Sequence, residues 1–157
     1  MRSTIIVSIL LAVACLSACG GSESEPVLPD APAVTASETP APTLAELPAP
    51  YNVADLANGA TTFIKCRNCH SLVAGEANKV GPNLHGVFDR PPGTQDKFKY
   101  SQALIGFDAN RWTPEHIDGW LTKPKDFLPG SSMFFNGIDD PAARRDLIAY
   151  LLIQTRG

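Results

Sequence analysis

Cys66-Arg67-Asn68-Cys69-His70 places two thiols and an imidazole within one short stretch of chain. C-x-x-C-H is the attachment pattern of a c-type haem. Each cysteine sulfur can bond to one vinyl group, and the two-residue spacing lets one turn of backbone present both sulfurs to the same porphyrin edge. The adjacent imidazole then reaches the iron as proximal ligand. Two rivals share the C-x-x-C part: a dithiol redox site and half of a zinc site. The dithiol reading expects a βαβ pattern, and none follows the motif. The zinc reading needs four ligands at tetrahedral angles. Beyond Cys66 and Cys69, residues 51–157 offer as thiol or imidazole donors only His70, His85 and His116, and His70 sits too close to Cys69 to close such a site easily.

A haem iron with a second axial ligand needs a further donor, and elimination narrows the choice. The methionines are Met1 and Met133, and Met1 opens a leader-like stretch. Met133 follows a Pro-Gly turn in Leu128-Pro129-Gly130-Ser131-Ser132-Met133-Phe134-Phe135. The plain alternative is a core methionine filling a gap. A thioether ligand stabilises the reduced iron and raises the potential. An iron with both axial positions filled has no open place for substrate, which favours a one-electron carrier over an enzyme.

The elements that must position these residues occupy only part of the 157-residue chain. Net charge is −3 and no polybasic run occurs, so nucleic acid is not an expected partner. Residues 1–18 read as a leader: Arg2 gives a basic start, and Ile5 to Ala18 is an apolar run ending in small residues. Leu16-Ser17-Ala18-Cys19 resembles a bacterial lipobox, which implies cleavage before Cys19 and acylation of that cysteine. An uncleaved membrane anchor is the alternative. Residues 19–50 read as a tether. Seven prolines alternate with Ala, Ser and Thr, and the charges are five acids with no Lys or Arg. That composition favours extended backbone and offers little apolar surface for a core.

Residues 51–157 read as the folded domain, with twelve basic against eleven acidic side chains. The first helix is expected to be capped by Asn52, with Asp55 in its first turn, and to run into the cysteine motif along a face of Leu56, Ala60, Phe63 and Ile64. Lys79 to Arg90, with Gly81, Pro82 and Gly86, reads as loop. A short helix is expected over Ser101 to Ile105. Thr113-Pro114-Glu115 is a helix start and Lys123-Pro124 a stop. Asp140-Pro141 opens a last helix with Leu147, Tyr150 and Leu151 inward. No alternating strand is evident, so the fold class is all-α.

Several stretches share one order with a known family: Phe63 to His70, Lys79 to Arg90, Phe98 to Ser101, Trp112, Pro129-Gly130 to Met133, and Asp146 to Leu151. In these the chain resembles the class I cytochromes c of mitochondrial and bacterial type, over residues 51–157. The resemblance implies a small all-α domain wrapped around one covalent haem c, with its first and last helices crossing where Gly59 and Phe63 meet Tyr150. It implies that the Pro82 carbonyl accepts from His70, and that Arg90, Tyr100 and Trp112 serve the haem propionates. Core packing is the alternative for Tyr100 and Trp112, a surface position for Arg90. Ser131 matches a hydroxyl beside the methionine loop, and Phe135 an aromatic over the haem edge. Lys79, Lys97, Lys99, Lys123 and Lys125 match positions around that edge and are expected to dock partners.

Two departures stand out. Trp120 falls where the family commonly has a tyrosine near the methionine sulfur. Leu104-Ile105 is apolar where the family often has an asparagine that holds water. The implied function is electron transfer by a monomer on the periplasmic side of a bacterial membrane. A cytochrome bc complex would be the donor, and a terminal oxidase or photosynthetic reaction centre the acceptor. Two alternatives remain open: a haem peroxidase or ligand-binding domain formed when Met133 leaves the iron, and a redox subunit of a larger dehydrogenase.

Overall fold

The computed structural model describes residues 40–156. The leader, Cys19 and the tether up to residue 39 lie outside the described residues. Asp55 begins the first helix, α1 (Leu56–Phe63), by accepting the backbone N–H groups of Ala57 and Asn58 at 2.9 and 3.0 Å. This corrects the expected cap: Asn52 lies in a 3₁₀ turn, Tyr51–Val53, one step earlier. An aspartate with extended backbone is as good a cap as asparagine and adds charge that suits the helix N-terminus. Past Phe63 the chain tightens into turns that bring Cys66, Cys69 and His70 round in succession. Cys69 N–H and His70 N–H both donate to the Cys66 carbonyl, at 3.0 and 2.9 Å.

The remaining helices follow their caps. Ser101 caps α2 (Gln102–Ile105), and Thr113 caps α3 (Pro114–Thr122), each through its side-chain oxygen. Pro114 and Pro141 sit in the first turns of their helices, where the missing N–H costs nothing. Lys123-Pro124 stops α3 as expected. Pro124 then opens a further short helix, α4 (Pro124–Phe127), which the sequence reading did not anticipate. Asp140 caps α5 (Pro141–Gln154). No strand occurs among the described residues.

The first and last helices cross, as the resemblance implies. A β-carbon on Gly59 would lie 2.3 Å from the Asp146 carbonyl oxygen and 2.8 Å from Tyr150 Cβ, so only glycine permits this approach. Phe63 and Tyr150 meet with ring centroids 5.8 Å apart. The crossing also carries a buried carboxylate. Asp146 is 2 % exposed and accepts from the Asp55 N–H at 3.1 Å, from Asn58 Nδ2 at 2.8 Å and from the Arg145 guanidinium. Burial pushes this carboxyl up, but the hydrogen bonds from Asn58, Arg145 and the Asp55 backbone together outweigh it and hold it below its ordinary value. Arg144 reaches the other way and pins α5 to Asp118 on α3, at 2.8 Å.

The expected domain start at Tyr51 is also corrected. Leu44–Glu46 forms a 3₁₀ turn closed by Thr43 and Glu46, and Leu47 is 5 % exposed in the core. Leu44 packs against the same core. The two leucines among the prolines supply enough apolar surface to hold residues 43–50 on the domain. Residues 43–50 of the expected tether therefore belong with the domain, and residues 19–39 of it lie outside the described residues.

Candidate cofactor site

The turns after α1, the loop from Val80 to Tyr100, helices α2 and α3, and the stretch 131–135 line one cleft. Its empty volume is about 1130 Å³, counting the open mouth. Cys66, Cys69, His70 and Met133 all line it. So do Pro82, Arg90, Tyr100, Trp112, Trp120, Ser131 and Phe135. Every pocket residue expected from the sequence is therefore brought to one cavity.

The geometry at His70 is specific. Its Nδ1 lies 2.7 Å from the Pro82 carbonyl oxygen, which fixes the N–H on that nitrogen and leaves Nε2 free as an electron-pair donor. Burial pulls this imidazole below its ordinary value, against the opposing pull of the Pro82 carbonyl, so the ring is neutral at neutral pH. Gly81 is part of the same device. A β-carbon there would lie 2.4 Å from His70 Cε1, so the ring is clamped against bare backbone. Asn83, 2 % exposed, holds the loop in shape by donating to the carbonyls of Val73 and Glu76, each at 2.8 Å, and accepting from the His85 N–H. Neither Gly81 nor Asn83 had been assigned a role from sequence. Their signal was only their position next to Pro82.

On the methionine side, Trp120 Nε1–H donates to Met133 Sδ at 3.1 Å. The indole has no acceptor, so this contact orients the thioether with one sulfur lone pair and leaves the other available. Ser131 is buried, and its hydroxyl accepts the Met133 N–H at 3.2 Å, which shapes the loop. Trp112 stacks edge-on to Trp120 with centroids 5.3 Å apart and closes the base of the cavity with Leu104. Leu104 thus gives the cavity an apolar wall. Burial raises the Tyr100 phenol above its ordinary range, so it stays a hydrogen-bond donor. Arg90 donates to the carbonyls of His85 and Asn83, which commits part of its guanidinium to the loop. The other two histidines stay away from the cavity lining. His85 lines a separate polar cleft. His116 packs edge-on against Phe107 and Trp112, with a buried Nδ1 that has no partner.

The lysines divide. Lys125 sits with its ammonium 4.5 Å above the Phe134 ring. Lys79 folds back to donate to the Arg67 carbonyl at 3.1 Å. Lys123 pairs with Asp126 at 3.0 Å, and Lys97 stands 3.8 Å from Asp96 beside the separate polar cleft. None of the five expected docking lysines lines the cavity. Lys65, which was not among the expected docking residues, does.

These residues fit a haem better than either rival. The cavity is mostly apolar, its two thiols are unpaired, and burial pushes the Cys66 thiol up to about 11. A zinc ligand or a reactive dithiol requires a thiolate, which that environment opposes. Among the described residues no three His, Cys, Asp or Glu side chains gather into a metal site. Cys66 and Cys69 would hold the macrocycle covalently, and the group would supply one reversible electron.

An all-α domain wrapped around such a cleft defines a class I c-type cytochrome. No family model matches the chain. Curated relatives do. Residues of this chain are 38 % identical over 104 positions to cytochrome c of Kluyveromyces lactis, covering 66 % of this chain and 94 % of that protein. They are 38 % identical over 100 positions to cytochrome c2 of Agrobacterium tumefaciens, covering 62 % and 90 %. Among solved structures, cytochrome cH from Methylobacterium extorquens superposes with a TM-score of 0.57 at 38 % identity, covering 62 % of this chain and 97 % of that one. The chain belongs to the cytochrome c family. It carries one covalently attached haem c and is an electron carrier between redox complexes rather than an enzyme.

Proposed function

We propose that His70 and Met133 are the axial ligands of a closed iron, and that the carrier links a cytochrome bc complex to a terminal oxidase or a photosynthetic reaction centre. The observation that supports this most is the pairing of two oriented donors on one cavity. Pro82 fixes His70 with Nε2 free, and Trp120 fixes Met133 through one sulfur lone pair. Both axial positions are then taken by groups the fold already holds in place, which keeps reorganisation small as charge changes. Arg90, Tyr100 and Trp112 supply donors for the propionates.

The same reading places the domain on the periplasmic side of a bacterial membrane, held by a lipid on Cys19. The Leu16-Ser17-Ala18-Cys19 sequence and the proline-rich acidic stretch after it support that placement. A Cys19→Ser protein should leave the membrane fraction and lose the acyl mass on its N-terminal peptide. Wild type that keeps Met1 at its N-terminus would point to an uncleaved anchor instead. The carrier role is tested by reducing purified holoprotein with a cytochrome bc complex and oxidising it with a cytochrome oxidase. Failure of both exchanges would sink the proposed place in the chain.

A further inference from the structure

Asn-Gly occurs at Asn58-Gly59 and again at Asn136-Gly137. Asparagine is a thermolabile residue. The backbone nitrogen of the next residue can attack its side-chain carbonyl carbon, and glycine obstructs that attack least because it has no side chain. Both asparagines are exposed, so exposure does not separate the two sites. Hydrogen bonding does. In α1 the Gly59 N–H donates to the Asp55 carbonyl at 2.9 Å, and Asn58 Nδ2 donates to Asp146 at 2.8 Å. The attacking nitrogen and the leaving amide are both held there. Asn136 and Gly137 lie outside any helix. Among the described residues neither the Gly137 N–H nor the Asn136 side-chain amide has a hydrogen-bond partner. The fold nevertheless requires glycine at 137. Its φ is +99°, and a β-carbon there would collide with the Thr122 carbonyl oxygen. Packing thus fixes the residue that makes Asn136 labile and leaves its nitrogen free to react.

We propose that Asn136-Gly137 is a site of spontaneous self-modification, and that the modification loosens the hold on Met133 as the protein ages. The Gly137 nitrogen gives its proton to solvent base and bonds to Asn136 Cγ. The Cγ–Nδ2 bond breaks and ammonia leaves. Water then opens the cyclic imide at either carbonyl. One opening leaves aspartate at 136, and the other leaves isoaspartate, in which the main chain runs through the side-chain carbon. Water is consumed, ammonia is released and no electron moves. Aspartate adds a negative charge to an unchanged backbone. Isoaspartate also lengthens the backbone, in a stretch that is pinned at both ends. The buried Ser131 hydroxyl accepts the Met133 N–H at 3.2 Å, and Ile138, 4 % exposed, donates its N–H to the Leu121 carbonyl at 2.8 Å. Met133 and Phe135, which line the cavity, stand between the buried Ser131 and Ile138. The added length must be absorbed by the segment that presents the thioether. The reaction at 136 stands on the hydrogen bonding above, whereas its effect at Met133 rests on the axial-ligand reading.

The test ages full-length holoprotein at mildly alkaline pH beside its Asn136→Gln variant, with freshly prepared Asn136→Asp as a control. Glutamine keeps the amide but would have to close a larger ring, which is slower. Aspartate supplies the charge on an ordinary backbone. The readouts are peptide mass mapping, enzymatic methyl labelling of isoaspartate, and the far-red thioether band of the oxidised protein. In aged wild type the peptide holding Asn136 should lose its amide and take up the isoaspartate label, while the peptide holding Asn58 keeps its amide. Asn136→Gln should show neither change. The far-red band of wild type should weaken in proportion to the isoaspartate formed, and fresh Asn136→Asp should keep it in full. An intact amide at 136, or loss at 58 as fast as at 136, overturns the site. Isoaspartate at 136 with an undiminished band overturns the loosening while the ligand reading stands. Fresh wild type without the band removes the ligand reading and the loosening with it, and the labelled peptide still decides the site.

Discussion

At the scale of single residues, the attachment motif was legible because covalent bonds leave few substitutes. Two cysteines at a fixed spacing with one histidine beside them, and one methionine downstream, were named from sequence, and all four line one cavity. What could not be read was orientation. The Trp120 N–H on Met133 Sδ, at 3.1 Å, is a contact between residues thirteen positions apart, and no spacing rule announces it. Under the proposed ligation, that hydrogen bond would draw electron density from the sulfur and make it a weaker donor to oxidised iron. Trp120→Phe should therefore lower the potential by some tens of millivolts, corresponding to about 1 kcal/mol or less for one hydrogen bond. The far-red thioether band should remain in that variant, and spectroelectrochemistry reads both. Met133→Ala should instead lose the band and lower the potential much further, while Met133→His should stay low-spin at low potential. A Met133→Ala protein with wild-type spectrum and potential would remove Met133 as ligand.

At the scale of elements, helix starts were legible wherever a cap and a proline stood together, as at Thr113-Pro114 and Asp140-Pro141. The sequence favours Asn52 as a cap because Asn and Asp serve that role almost equally, and the two candidates stand only three positions apart. The packing of residues 43–50 was hidden for a different reason. Composition averages over a window, whereas Leu47 is buried by one specific contact with the domain. Leu47→Ala should cost about 2–5 kcal/mol of unfolding free energy, the range for a buried leucine. Denaturant titration of the holoprotein checks this, and a midpoint unchanged from wild type would return residues 43–50 to the tether.

The helix crossing makes a second prediction at this scale. Asp146 is held below its ordinary value in the fold, so its contribution is present above the unfolded carboxylate value, about 4. That contribution is lost as pH falls from there through the folded value. Asp146→Asn should be less stable than wild type at pH 7, and the gap should narrow steadily below about pH 4. A gap independent of pH would mean that the carboxylate charge is not what the crossing uses.

At the scale of the whole molecule, charge is unevenly placed. The chain is acidic overall, yet residues 51–157 carry a slight basic excess, and the acidity lies in the segment before them. The sequence suggested a general ring of docking lysines. The structure narrows this, because Lys123 and Lys97 have carboxylate neighbours and Lys79 is turned onto backbone. A truncated chain beginning near residue 40 should therefore show partner oxidation that slows with salt. Lys125→Glu should slow it more than Lys123→Glu, and equal effects would restore the broader ring. Tethered protein should be less sensitive to salt, since local concentration replaces long-range attraction.

The central claim is that the iron is closed by His70 and Met133, so that the protein carries electrons and does not bind substrate. The most direct test is the absorption spectrum of purified wild-type holoprotein at neutral pH, oxidised, and then reduced under carbon monoxide. A low-spin ferric spectrum with the far-red thioether band, and a ferrous spectrum unmoved by carbon monoxide, is the predicted result. A high-spin ferric spectrum with ready carbon monoxide binding would contradict it.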